Sequence, residues 1–170
     1  PHALESFPEL ADLVAADLYA GTAIWRLPEM TTTVLRVSYT LGPSGLGTLG
    51  SYLRGRRVPT VLGFDPRLQF LHEHDAHLSL EHATLADVPG TFNVVGDGTL
   101  MLSQCVRRLG RPALPLPPFG VAAAGNAMKQ TRAVDFSREQ IAFLTYGRGL
   151  DGTRLRTELG YQPEYTTEEA

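Results

Sequence analysis

Apolar residues recur at helical spacing at the start of the chain and then give way to a β-branched run. A first helix is predicted from a capping box at Ser6–Glu9 to Gly21, where the helical repeat stops. Its apolar stripe consists of Leu10, Leu13, Val14 and Leu18. The following segment, Thr31–Ser38, is rich in β-branched residues and predicts a strand buried on both faces.

The two patterns then alternate along the rest of the chain. Further strands are predicted at residues 59–63, 69–73 and 91–95. Five further helices are predicted. The first is short and carries Leu49 and Leu53; the second is capped by Asp75 and has Ala76, Leu80 and Ala83 on its apolar stripe. The third is capped by Thr99 and has Leu102, Cys105, Val106 and Leu109 on its stripe, the fourth follows a Ser137–Gln140 capping box, and the fifth is capped by Asp151. Four prolines between Pro112 and Pro118 predict an extended segment. Alternation of strands and helices predicts an α/β domain with a mostly parallel sheet.

Composition narrows the class of protein. The chain has 170 residues, of which 43% are hydrophobic and 19% charged, so one domain with a real core is expected. A net charge of −3 gives no bulk attraction to nucleic acid or anionic membranes. A single cysteine excludes an internal disulfide and a cysteine-rich zinc site. With no apolar run near the roughly 20 residues of a membrane span and no export signal, we expect a cytoplasmic protein without membrane or nucleic-acid partners.

A glycine-rich segment, Gly45–Gly50, matches the G-x-G-x-x-G pattern of dinucleotide-binding turns. That fingerprint should directly follow a strand and open a long helix. Here Pro43 intervenes, and the helix that follows is broken at Gly55. A surface loop is therefore favoured over a phosphate cradle. The adjoining pair Arg56–Arg57 is interpreted as a solvated turn, with contact to a ligand phosphate as the alternative.

Two other groups of chemically active residues are weaker candidates. Residues His72–His77 contain three histidines and two carboxylates, but their spacing does not match known zinc motifs. A strand end followed by a helix, with His74 and His77 in solvent, is favoured over a metal site on His72 and His74. Cys105 lies on the apolar stripe of its helix and is expected to be buried. We expect no metal and assign no catalytic residue.

Four segments, in order, resemble motifs of one family. They are the strand and loop from Val34-Leu35-Arg36 to Gly42-Pro43, Phe70–Asp75, Gly90–Gly96, and Leu159–Glu169. Together they resemble the C-terminal half of the extended short-chain dehydrogenase/reductases, also called the NAD-dependent epimerase/dehydratase family. The resemblance implies the C-terminal part of a Rossmann-like parallel sheet plus a small substrate-binding α/β subdomain, in a truncated fragment.

The resemblance divides the chain at residue 43. Residues 1–43 would be the last helix and strand of the nucleotide-binding sheet, and residues 44–170 mainly the substrate-binding subdomain. It implies NAD or NADP in the parent protein, with no tight binding to this fragment. The family's catalytic Tyr-x-x-x-Lys would fall at Phe7–Ala11, which has neither residue, so the fragment alone is expected to be inactive. A non-catalytic dinucleotide-binding sensor or scaffold is the alternative.

The same resemblance names five site residues. Val37 and Ser38 match positions that pack against the nicotinamide. Tyr39, Leu62 and Arg67 match the region that binds a small-molecule substrate. Tyr39 stands where members acting on sugar nucleotides carry an asparagine, and Leu68 occupies the register of a phosphate-binding arginine. The substrate and the choice between NAD and NADP stay open.

The end of the chain carries a helix-start signal in Thr166–Ala170. We therefore expect a piece of a longer protein in which the strand at Val34–Ser38 exposes an apolar edge. Such edges tend to be covered by a partner chain, so self-association into a homo-oligomer is expected.

Overall fold

The structure is a computed structural model that describes residues 11–45, 47–117 and 138–170. The helices in these ranges are α1 Ala11–Arg26, α2 Thr48–Leu53, α3 Glu73–Ala86, α4 Leu102–Arg108, α5 Arg138–Tyr146 and α6 Thr153–Thr157. The strands are β1 Thr33–Val37, β2 Tyr39–Leu41, β3 Val58–Val61, β4 Arg67–Leu68, β5 Phe70–His72, β6 Gly90–Val94, β7 Leu100–Met101 and β8 Ala113–Leu116.

The strands pair two by two, and three of the four pairs are parallel. β1 pairs with β6 in a register that sets Thr33 opposite Gly90 and Val37 opposite Val94. β2 pairs with β5, and β3 with β8, also in parallel. Among the described strands, β4 and β7 are the one antiparallel pair. The predicted α/β class with mostly parallel pairing is confirmed. The described part of the proline-rich segment is extended, as predicted, and forms β8.

Two hydrophobic clusters make up the core, and β5 contributes to both. Phe70 belongs to a cluster with residues of α2, β3, α4 and α5. Its neighbour Leu71 belongs to a cluster with Phe92 of β6 and Leu155 of α6. Successive strand residues point to opposite faces, so this short strand joins the two halves of the core.

Asp75 does not cap α3, contrary to the sequence prediction. The helix begins two residues earlier, and the ring nitrogen Nδ1 of His72 accepts a hydrogen bond from the backbone N–H of His74 at 3.1 Å. Asp75 is fully buried and accepts hydrogen bonds from the Tyr161 hydroxyl at 2.9 Å and from the N–H groups of Glu164 at 2.8 Å and Tyr165 at 3.0 Å. The carboxylate therefore holds the C-terminal segment against the start of α3.

Helix α1 runs past its predicted end at Gly21 and continues to Arg26. A single glycine in a helix costs only about 1 kcal/mol, so Gly21 does not end α1. Two members of the predicted stripe, Leu13 and Leu18, are 69% and 58% exposed. Helix α1 packs against β1 and β6.

Three further local predictions are wrong. Thr99 does not cap α4, which begins at Leu102 after the short strand β7. Leu80 and Leu109, both assigned to apolar stripes, are 56% and 47% exposed. The strand predicted at Thr31–Ser38 is present as β1, but it is not buried on both faces, because its five residues are half-buried or exposed.

Other local predictions are confirmed. Cys105 is buried, and α2 presents Leu49 and Leu53 to the core. The last predicted helix is present as α6, but its N-cap residue is Gly152 and not Asp151. The Asp151 carboxylate accepts a hydrogen bond from the N–H of Thr153, the first residue of α6, at 2.9 Å. The capping residues predicted at Ser6–Glu9 and Ser137, together with Leu10, lie outside the described residues, whereas the helix predicted behind Ser137 is confirmed as α5.

Replacing Asp75 by Ala should lower the free energy of unfolding by about 3 kcal/mol, because three buried donors lose a charged acceptor. Urea unfolding followed by circular dichroism measures the change. Glu81→Ala, on the exposed face of the same helix, should change it by less than about 0.5 kcal/mol. Equal effects of the two substitutions would contradict the role assigned to Asp75.

Candidate functional site

A cleft of about 680 Å³ opens at the carboxyl ends of β1 and β6. Ligands of open α/β sheets bind at this end of parallel strands. The cleft is lined by Arg36, Val37, Ser38, Tyr39, Thr40, Gln69, Asn93, Arg148 and Leu150.

An ion pair fixes one side of the cleft. Arg36 donates to both carboxylate oxygens of Asp17, through Nε at 2.8 Å and Nη2 at 2.6 Å. This contact lowers the pKa of Asp17 and raises that of Arg36. The pair joins helix α1 to the end of β1, and the carboxylate offsets the charge of the guanidinium.

Ser38 supplies a polar group without a partner. Its N–H donates to the carbonyl of Val94 at 2.9 Å, which carries the β1–β6 ladder one residue further. Its hydroxyl oxygen is buried and has no hydrogen-bond partner in the described part of the chain. Because a buried polar atom is normally paired, the hydroxyl is suited to accept or donate a hydrogen bond to a bound ligand.

Tyr39 forms the wall next to Ser38. Its ring lies 4.6 Å from the ring of Phe143 on α5, measured between centroids, and it packs against the larger core cluster. The packing fixes the tyrosine in place, so Tyr39 is a rigid part of the cleft.

Two amides hold the loop after α5 against the sheet. Gln69 donates to the carbonyl of Gly96 at 3.1 Å and accepts from the N–H of Leu150 at 2.9 Å. Asn93 donates to the carbonyl of Asp151 at 3.1 Å. Through these contacts the two amides position the loop along the cleft.

Arg148 enters the cleft from this loop and was missed by the sequence analysis. Gly147, with φ of +70°, turns the chain so closely over Arg67 that a Cβ atom at this position would collide with its backbone. The N–H of Arg148 then donates to the carbonyl of Arg67 at 3.2 Å. In the sequence, Arg148 is a basic residue between Gly147 and Gly149, and this pattern was the signal that could have marked it as a candidate site residue.

The structure brings together three of the five predicted site residues. Val37, Ser38 and Tyr39 all line the cleft. Leu62 follows β3, is 58% exposed and lies outside the lining. Arg67 contributes its carbonyl to the support of Arg148, while its side chain is exposed and also lies outside the lining.

The glycine-rich and histidine-rich segments do not join this cleft. β2 ends at Leu41, four residues before Gly45, and the helix that follows has six residues, which favours a loop over a dinucleotide cradle. His72 stacks on Tyr165, and the Nε2 atom of His74 lies 3.6 Å from Glu164. Within the described ranges no cluster of three histidine, cysteine or acidic residues could hold a metal ion.

Curated relatives of the chain carry no assigned function. An uncharacterized protein of Mycobacterium tuberculosis (strain H37Rv) is 50% identical over 166 residues, which are 98% of this chain and 44% of that protein. An uncharacterized protein of Mycobacterium bovis matches to the same extent. The chain therefore spans less than half the length of these relatives. No family model matches the sequence.

Solved structures show the fold. A UDP-glucose 4-epimerase from Thermotoga maritima with UDP-glucose matches with a TM-score of 0.61 and 17% identity, over 92% of this chain and 48% of that one. A dTDP-glucose 4,6-dehydratase from Streptomyces venezuelae with NAD gives 0.60 and 16%, over 90% and 45%. A human epimerase family protein with NADPH gives 0.59 and 24%, over 80% and 45%. The chain has the fold of about half of these Rossmann-like proteins.

Across the described residues, no helix combines the length and the apolar character needed to cross a membrane.

Replacing Ser38 by Ala should leave the free energy of unfolding unchanged within about 0.5 kcal/mol, or raise it, because the buried hydroxyl has no partner to lose. Thr167→Val is the matched control. The Thr167 hydroxyl is buried and contacts the N–H and carbonyl of Phe70 at 3.3 Å, so its loss should cost about 1 kcal/mol. Thermal and urea unfolding measure both, and an equal loss at Ser38 would reveal a partner for its hydroxyl.

Proposed function

We propose that the chain is the substrate-binding portion of an NAD(P)-dependent epimerase, dehydratase or reductase of the extended short-chain dehydrogenase type, and that it is inactive by itself. The observation that carries the proposal is the cleft at the carboxyl ends of β1 and β6, where Val37, Ser38 and Tyr39 meet. Solved neighbours that share this fold are named as epimerases and dehydratases, and two were solved with NAD or NADPH.

The residues present fit the nicotinamide end of such a cofactor. Val37 offers an apolar side chain that is 42% exposed, and the Ser38 hydroxyl is buried without a partner. Val37 would pack against the ring, and Ser38 would hydrogen-bond to its polar substituent. When bound, the cofactor supplies hydride transfer, and the chain's own residues orient the ring and exclude water from one side of it.

The substrate would lie beside Tyr39 and Arg148. The Tyr39 ring, held by Phe143, gives a flat apolar wall. Arg148 also lines the cleft, and guanidinium groups favour carboxylate or phosphate oxygens. We therefore propose a small-molecule substrate that carries an anionic group. Leu62 and Arg67 would contact only a substrate that extends beyond the cleft.

A non-catalytic sensor or scaffold that binds a dinucleotide is the second candidate. It is favoured by the absence of tyrosine and lysine at Phe7 and Ala11, where the family's catalytic pair would fall. Hydride transfer to or from NAD(P), measured in a longer polypeptide that contains this chain, would exclude this candidate.

The proposal predicts different cofactor binding by two lengths of polypeptide. The 170-residue chain should show no saturable change in NADH or NADPH fluorescence at micromolar concentrations. The full-length Mycobacterium tuberculosis relative should bind one of the two cofactors, because it contains further chain for the nucleotide-binding half. Absence of binding of both cofactors to the full-length relative would overturn the proposal.

Substitutions in the full-length relative, at the residues aligned with this chain's positions, separate the roles. Changing the counterpart of Val37 to Asp should weaken cofactor binding at least about tenfold, because a charge would face the ring. Changing the counterpart of Arg148 to Ala should leave cofactor binding unchanged while lowering affinity for an anionic substrate. Equal loss of cofactor affinity in both variants would contradict the assignment.

A further inference from the structure

A second cavity lies on another side of the domain and shares no lining residue with the cleft. Its volume is about 230 Å³, and it sits between α2, α4 and the C-terminal residues Thr167–Ala170. Its apolar lining consists of Leu41, Leu53, Phe70, Leu100, Cys105 and Leu109. The volume exceeds the about 150 Å³ that suffices for benzene in an engineered apolar cavity.

Two arginines lie at the rim of this cavity, and only one of them is neutralised. Arg108 forms an ion pair with Glu168. Arg54 has no ion-pair partner among the described residues, although its guanidinium lines the same cavity. The cavity therefore combines an apolar interior with a rim arginine that has no ion-pair partner among the described residues.

The glycine-rich segment explains how Arg54 reaches the rim. Gly45 has φ of +60°, and a Cβ atom on it would collide with the Arg54 guanidinium. Gly50 also lines the cavity, close to the carbonyl of Gly45. The first and last glycines of the motif thus leave space for the arginine, which lies over the loop at the mouth of the cavity.

We propose that this cavity binds a small amphipathic carboxylate, with an apolar tail among Leu53, Phe70 and Cys105 and its carboxylate on Arg54. A guanidinium pairs with a carboxylate through charge-assisted hydrogen bonds, which supplies the orientation. The tail contributes burial of apolar surface, which supplies most of the affinity. The site is independent of the proposed hydride chemistry, because it shares no residue with the cleft.

Titration of the 170-residue chain with octanoate tests the proposal. Octanoate should raise the melting temperature in a saturable manner, whereas acetate, which lacks the tail, and 1-octanol, which lacks the charge, should act far more weakly. Arg54→Ala should weaken octanoate binding about tenfold, since a hydrogen-bonded charge pair is lost. Arg57→Ala removes an exposed arginine outside the cavity lining and should leave binding unchanged.

Cys105 provides a second measurement, because it is the only cysteine of the chain and lines the cavity. Burial raises the pKa of its thiol to about 11, so alkylation by iodoacetamide at pH 7.5 should be slow, and octanoate should slow it further. Equal binding of octanoate and 1-octanol, equal effects of the two arginine substitutions, or unchanged alkylation at saturating octanoate would each overturn the proposal.

Discussion

The buried carboxylate of Asp75 is the constraint on which the arrangement of the domain depends. A charged group at zero exposure is tolerated only when its oxygens are hydrogen-bonded. All three donors come from the C-terminal segment, 86 to 90 positions along the chain. Satisfying this one group therefore fixes the path of that segment beside α3. Tyr161 both donates to Asp75 and packs in the smaller core cluster, so the polar contact and the apolar packing support each other.

The polar cleft follows from how the strands and the loop after α5 are joined. In the parallel register of β1 and β6, Val37 lies opposite Val94, the last residue of β6. Ser38 comes directly after β1, and its N–H donates to the carbonyl of Val94. The side-chain amides of Gln69 and Asn93 hydrogen-bond to backbone groups of the loop that carries Arg148. A wall held by these hydrogen bonds between side-chain amides and the backbone limits the ordering cost of binding.

The two cavities have opposite chemistry, and β5 lies between them. Phe70 faces the larger cluster and lines the apolar cavity. Gln69, directly before it, lines the polar cleft. Alternation along an extended segment sends adjacent side chains to opposite sides of the sheet. A domain with one short strand between two concave surfaces can thus carry an apolar and a polar site without sharing residues.

Local pattern determined the existence of most elements and the burial of Cys105, because helical and strand periodicity act over neighbouring residues. It also brought Val37, Ser38 and Tyr39 to one place, since they are consecutive and follow the same strand. Only the tertiary structure decided that Asp75 serves the C-terminal segment instead of capping α3, that Arg148 enters the cleft, and that Leu62 and Arg67 stay outside its lining. Those outcomes depend on hydrogen bonds and strand pairing between residues far apart in the chain, which short-range periodicity does not encode.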